Sequence, residues 1–227
     1  DIDAGYASYR LDPGGFNRAQ ADLPSMRAGG LDAGFFIVYV GQGPISPMGY
    51  DEAAEIAERK YQAILRMIRA YPDEIALAVT ADQVEAIHAS GRLVALIGME
   101  NSWPLGEDLS RVEMWANRGV RYVSITHFGN NQFGGSSNPN LAQGDPAEDP
   151  GLTELGRGLV RELNEHGVMV DGSHVGKTTM MEAIALSTAP VIASHSGARA
   201  VYDHPRNLDD EQLRAIRKEL GYHSDDD

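Results

Sequence analysis

Residues 93–101 read Leu-Val-Ala-Leu-Ile-Gly-Met-Glu-Asn, and this stretch decides the fold. Leu93 to Ile97 is apolar without interruption. A strand with one wetted face alternates apolar and polar side chains, so an unbroken run marks a strand buried on both faces. The same kind of run recurs on either side. Upstream lie Ala33 to Val40 (AGFFIVYV) and Ile75 to Val79; downstream lie Tyr122 to Thr126, Val168 to Val170 and Val191 to Ala193. Between the runs the apolar residues fall at helical spacing. Asp51 to Tyr71 carries Ile56, Ala57, Ala63, Ile64, Met67 and Ile68 and stops at Pro72. Further helices are predicted from Thr80, as cap, to Ala89, near Leu109 to Asn117, over Thr153 to Glu165, over Lys177 to Ser187, and from Asp209, as cap, to Glu219. A short helix opens at Asp22-Leu-Pro and ends at Gly29-Gly30. Asp1 to Ala21 is polar and reads as loop.

Alternating strands and helices with short connectors predict an α/β fold with a parallel sheet wrapped by helices. The choice is then between a closed barrel and an open doubly wound sheet; no Gly-rich dinucleotide fingerprint follows the first strand, which weakens the open-sheet nucleotide reading. No linker-like composition divides residues 1–227, so a single domain is expected.

Composition narrows the function. The formal net charge of −14 excludes a broad nucleic-acid surface, which needs a basic footprint. With no Cys, a disulfide scaffold, thiolate metal sites and a Cys nucleophile are all excluded. No apolar run approaches the ~18 residues of a transmembrane helix, and the opening residues DIDAGYASYR show no signal-peptide pattern in the sequence as given. Compartment is left open.

The informative residues stand just past the apolar runs. Glu100 follows LVALIGM, His127 follows YVSIT, His174 follows VMVDGS and His195 follows PVIAS. In a βα barrel the carboxyl ends of the strands converge on one face, and that face carries the active site. Imidazole and carboxylate converging on one mouth suit a divalent, zinc-like ion. The bland alternative is that each His is an ordinary loop or core residue; His88 and His166, on predicted helices, are read as surface residues. Ser173-His174 and Ser194-His195 suggest Ser–His chemistry only weakly, because neighbours in a strand point to opposite faces. The Asn- and Gly-rich segment from Gly129 to Gly144 is longer than a usual connector and leans towards a functional loop.

These stretches resemble the renal or membrane dipeptidases, the zinc dipeptidases of peptidase family M19. The likeness rests on DLPSMRAGGLDAGFFIVYV (22–40), LVALIGMEN (93–101), YVSITHFGNN (122–131), GLTELGRGLVRELNEHGVMVDGSHV (151–175), APVIASHSGARAV (189–201) and HPRNLDDEQLRAI (204–216), which keep the family's order. The resemblance implies a (β/α)8 TIM barrel of the metallo-dependent hydrolase type. It implies two zinc ions per chain in the intact protein, with a hydroxide activated between them as nucleophile. Glu100 matches the bridging carboxylate, and His174 and His195 match the ligands of the second metal. His127 matches the residue that contacts the substrate and its developing oxyanion, and Arg206 the residue that helps hold the substrate. The implied substrates are dipeptides, L,L and also L,D. Family members are often dimers, so a homodimer is an expectation.

Two parts of the family pattern differ. The first-strand His-x-Asp motif is represented only by Asp1, which stands equally as that motif's Asp, a metal ligand, or as a loop acid alongside Asp3. Ser224-Asp225-Asp226-Asp227 has the look of the family's late Ser-Asp-x-Asp stretch, but it follows Arg206 too soon and no apolar run leads into it. About six strands are counted where a barrel needs eight, and a barrel typically takes about 250 residues. The chain therefore reads as an incomplete barrel lacking its first and last strands. Two alternatives stay open: another metal-dependent amidohydrolase or lactonase, and a non-catalytic barrel that lost the first metal.

Overall fold

The structure is a computed structural model that describes residues 22–219. The chain divides into two compact units, Asp1–Val38 with Glu55–Gly98, and Tyr39–Ala54 with Met99–Asp227.

In the first unit, α1 (Leu23–Gly29) starts where the Asp22 carboxylate accepts the Ser25 N–H and ends at Gly30, whose φ of 71° is left-handed. Only glycine takes that conformation without strain. Strand β1 (Ala33–Tyr39) follows. Its burial is partial, with Phe35 37% exposed, which corrects the expectation of a strand covered on both faces. Helix α2 (Pro47–Ala70), whose residues up to Ala54 belong to the second unit, begins four residues earlier than its apolar periodicity suggests. Ser46 supplies the cap by accepting the Gly49 N–H, and Pro47 fits the first turn. Strand β2 (Ile75–Leu77), helix α3 (Ala81–Ala89, capped by Thr80) and strand β3 (Leu93–Glu100), whose last two residues Met99 and Glu100 belong to the second unit, complete the run. Both β1 and β2 hydrogen-bond to β3. The β2–β3 pair is parallel, Ile75 opposite Leu93 and Leu77 opposite Ala95. Ala78, Ile87 and Val94 form a small core there.

The second unit holds α4 (Ser110–Asn117), β4 (Val120–Ser124), α5 (Glu154–Glu165), β5 (Met169–Asp171), α6 (Lys177–Leu186) and α7 (Asp210–Glu219). Strands β4 and β5 are parallel, with Ser124 opposite Asp171. Ile125, Phe133, Leu159, Leu163 and Met180 are fully buried around them. Thr153 caps α5 by accepting the Gly156 N–H, and Asp209 caps α7 by accepting the Gln212 N–H.

The expected strand over Val191 to Ala193 is reduced to one parallel bridge, Ile192 beside Asp171. Ile192 uses both backbone groups, its N–H to Val170 and its carbonyl from Gly172. The ladder cannot extend. Pro190 has no N–H to give, and the Ser194 N–H turns to the Asp171 side chain instead.

Candidate metal centre

One register rule places three imidazoles. Ser124, Asp171 and Ile192 lie side by side across the second unit's parallel pairings. His127, His174 and His195 each come three residues later. Equal offsets from equal register bring equivalent side chains to one place. Glu100, the last residue of β3, meets them there. Its Oε1 lies 2.9 Å from His174 Nε2, 3.3 Å from His195 Nε2 and 3.5 Å from His127 Nε2. The rings of His127 and His174 are 4.1 Å apart between centroids, and those of His174 and His195 4.9 Å. The four residues singled out at strand ends therefore form one cluster.

The backbone at the cluster is unusual. Asn101 and His174 have φ of 76° and 69°, left-handed values rare outside glycine. Hydrogen bonds hold both in place. The Asn101 N–H donates to Ser124 Oγ, and its Nδ2 donates to the Val40 carbonyl. The His174 carbonyl accepts from the Ser137 N–H and Thr126 Oγ1, and the Ser136 hydroxyl donates to the neighbouring His127 carbonyl. Ser136 comes from the long Asn/Gly loop, which is anchored rather than free. Asn131 in that loop is buried and bonds to Asn101, Ile125, Phe133 and Gly134.

Protonation follows from burial and neighbours. Burial works to raise the Glu100 carboxyl, but the neighbouring His174 and His195 outweigh it and hold the group well below the usual carboxylate range. Burial, assisted by neighbouring His174, pushes His127 down to about 4. Burial lowers His174 as well, partly countered by its hydrogen bond to Glu100. Neutral imidazole beside ionised carboxylate is the form that binds metal. Tyr39 stands over His127, with Oη 3.5 Å from Nδ1, and burial followed by the charge of Glu100 raises its phenol.

Arg206 is half-buried beside the cluster. Its guanidinium donates to the His195 carbonyl at 3.3 Å and to Ser196 Oγ at 3.4 Å. Burial lowers it, while Glu100 and Asp171 act to raise it; a guanidinium stays charged regardless. His88 is exposed and faces Asp32 at 3.5 Å. His166 faces Glu162 on its own helix. Asp1 and the Asp225 stretch lie outside the described residues.

Contrary to the opposite-faces argument, Ser194 Oγ lies 2.7 Å from His195 Nδ1. The argument required a strand, and residues 194–195 are past the last bridge. Ser194 Oγ also donates to Asp171 Oδ2 at 2.7 Å. Asp171 is fully buried and also accepts the Ser173 and Ser194 N–H groups. Sequence reasoning passed over Asp171, although an acid closing the apolar run VMVD is the same signal that marked Glu100. Asn131 and Tyr39 gave no comparable signal.

The donor set fits a divalent cation. Ligand atoms of Glu100, His127 and His174 lie within 4.8 Å of one another, no thiol competes, and the buried Nδ1 of His174 has no hydrogen-bond partner among the described residues.

Residues 7–222 match the family model described as membrane dipeptidase (peptidase family M19). The chain belongs to this family. Among its relatives, dipeptidase aclJ of Aspergillus oryzae is 32% identical over 209 residues, 89% of this chain and 48% of its own length. Dipeptidase tcpJ of Claviceps purpurea is 33% identical, over 88% of this chain and 47% of its own. The chain thus spans about half the length of these curated relatives. Among solved structures, the probable dipeptidase PvdM from Pseudomonas aeruginosa superposes with a TM-score of 0.83 at 32% identity, covering 88% of this chain and 51% of that one. A metallo peptidase from Rhodobacter sphaeroides, liganded with a phosphinate mimic of the dipeptide L-Ala-D-Ala, gives 0.79 at 28% identity, covering 94% and 67%. The expected α/β barrel of the M19 type, present here only in part, agrees with these likenesses. Among the described residues, no helix is long and apolar enough to cross a membrane.

Proposed function

We propose that the protein is a metal-dependent dipeptidase and that this chain carries most of its metal and substrate groups within one barrel domain. The observation that supports this most is the single carboxylate oxygen of Glu100 with three imidazole Nε2 atoms within 3.5 Å. Glu100, with two oxygens, would be the residue to hold both ions, and the ring nitrogens of His174 and His195 would hold one of them. Two zinc ions are proposed; bound there, such ions bring the acidity of a water close to neutral pH.

The remaining roles belong to the chain's own side chains. His127, neutral near pH 7, can donate one N–H to charge forming on the scissile carbonyl oxygen. Arg206 offers a planar fork for the free carboxylate of a dipeptide. That local positive charge matters, since the chain as a whole is acidic and would not attract an anion. The Rhodobacter sphaeroides relative binds a mimic of L-Ala-D-Ala, which supports extending the substrate class to dipeptides with a D-residue on the carboxyl side.

The test is hydrolysis of a panel of L,L and L,D dipeptides by the full-length protein, before chelation, after it, and after zinc is returned. Loss on chelation and recovery with zinc is the expected result. Hydrolysis that survives complete metal removal would overturn the proposal.

A further inference from the structure

Among the polar groups that the proposed chemistry leaves without a role, the buried Asp171 and the exposed Ser194 have the most telling geometry. Asp171 Oδ1 accepts the Ser173 and Ser194 N–H groups, and its Oδ2 accepts from Ser194 Oγ. Ser194 Oγ, 2.7 Å from Asp171 Oδ2, must therefore spend its single proton on that bond. The 2.7 Å contact between Ser194 Oγ and His195 Nδ1 then has one consistent reading, in which the ring N–H donates to the hydroxyl. With the proton on Nδ1, the neutral ring has a bare lone pair on Nε2. That atom faces Glu100 Oε1 at 3.3 Å. Two lone pairs so close repel unless a cation lies between them.

The two other imidazoles are held differently. His174 is fixed through its backbone carbonyl, and its Nδ1 has no partner among the described residues. The Nδ1 of His127 has the long 3.5 Å contact with Tyr39. His195 is also the most exposed ring, at 41% against 6% for His174. It has the least packing to orient it and the strongest polar tether.

We propose that Asp171 and Ser194 are positioning residues: a carboxylate–hydroxyl–imidazole relay that fixes the tautomer and ring orientation of His195 so that Nε2 is presented to a metal ion beside Glu100. The relay rests on the reading of His195 as a ligand. Partners of this kind commonly change metal affinity about ten- to hundred-fold when removed. Ser173 supports the arrangement, since its Oγ accepts the His195 N–H at 3.0 Å.

The test uses the full-length protein, stripped of metal and titrated with Co(II) alone against a chelating dye. Ser194→Ala should weaken Co(II) at one site about ten- to hundred-fold and alter its visible spectrum, with the urea midpoint little changed. Ser194→Thr keeps the hydroxyl and should restore most of the affinity. In a His195→Ala background, Ser194→Ala should add no further loss. Wild-type Co(II) binding by Ser194→Ala, a Thr variant as weak as Ala, or an undiminished loss without His195 would each overturn the relay. A reading without variants is the 15N spectrum of histidine-labelled, metal-free wild type near pH 7.5: His195 should show a protonated Nδ1 and a bare Nε2, and the reverse tautomer overturns the proposal. No dipeptide enters these measurements. A protein that binds Co(II) as described but cleaves no dipeptide refutes the dipeptidase reading and leaves the relay standing.

Discussion

Replacing Asn131 by Asp changes one atom at the base of the metal centre, and its cost can be worked from the contacts. The side chain is 5% exposed. Its Nδ2 donates to the Ile125 carbonyl at 2.6 Å and to Asn101 Oδ1 at 3.0 Å. Its Oδ1 accepts from the N–H groups of Phe133 at 2.8 Å and Gly134 at 3.3 Å. Backbone N–H groups need an oxygen and a backbone carbonyl needs an N–H, so the two ends are not interchangeable. Asn131→Asp keeps the shape and turns the donor into an acceptor. Two buried acceptors each lose one donor, although the Ile125 carbonyl keeps the Ser102 hydroxyl and Asn101 Oδ1 keeps the Trp103 N–H, and the new carboxylate oxygen faces both with no donor of its own; the two lost bonds and that buried unsatisfied oxygen together cost roughly 2–6 kcal/mol near pH 7. Against a typical total stability of about 5–15 kcal/mol that is a large loss.

The pH dependence has a definite sign. Protonation gives the new carboxyl one O–H, which restores a donor, so its folded-state pKa lies above the ordinary ~3.9. The native state then binds more protons than the unfolded one, and the variant recovers stability as pH falls through the raised value. Urea unfolding of wild type and variant at pH 7 and pH 5 measures both effects. A deficit below about 1 kcal/mol at pH 7, or one that grows on acidification, would refute the reasoning.

Gly156 and Gly158 on α5 separate steric causes from helix propensity, which favours Ala by about 1 kcal/mol at either site. A Cβ at Gly156 would overlap the Phe133 carbonyl oxygen, which cannot retreat, whereas at Gly158 it meets the movable Leu109 Cδ1 at 2.6 Å. Calorimetry should show Gly156→Ala losing about 1–2 kcal/mol net, a Tm drop of several degrees, while Gly158→Ala stays at or above wild type. Arg206→Ala should raise KM for dipeptides about ten- to hundred-fold by removing charged hydrogen bonds. C-terminally amidated dipeptides should be little affected, and equal effects on both would dismiss the carboxylate role. At Asp209 burial acts to raise the carboxyl, but Lys177, 2.6 Å away, and the cap N–H groups bring it below its usual value. Its stabilisation is thus present above about pH 4 and lost as pH falls through the lowered value. Asp209→Asn should flatten that part of an acid-unfolding curve, and an unchanged curve would show that the pair contributes nothing.

The cluster was legible because each of its members closes an apolar run. Glu100, His127, His174 and His195 could be named from that pattern, and the structure gathers them within a few ångströms. Arg206 was legible only through the family likeness, since no run leads into it. Other features escaped for physical reasons. Apolarity says that Val191 to Ala193 is buried, but ladder length is decided by N–H groups, and Pro190 and Ser194 withhold theirs. Phe35 sits in an apolar run yet is partly exposed, because such a run does not report what covers each face. Asn131 lay hidden in a loop rich in the same residue type. Its role depends on which oxygen meets which N–H, and composition carries no such information.

The shared three-residue offset of the imidazoles makes metal capture a check on the correct assembly of the sheet. Side chains alternate faces along a strand, so a slip of one residue in β5 would carry His174 away from its neighbours while leaving an apolar strand that still pairs. The three rings coincide only when Ser124, Asp171 and Ile192 are aligned. An ion that binds only the aligned form stabilises that form over its slipped competitors by mass action. With the proposed ion bound there, its supply in the cell would influence how much newly made chain reaches the native pairing.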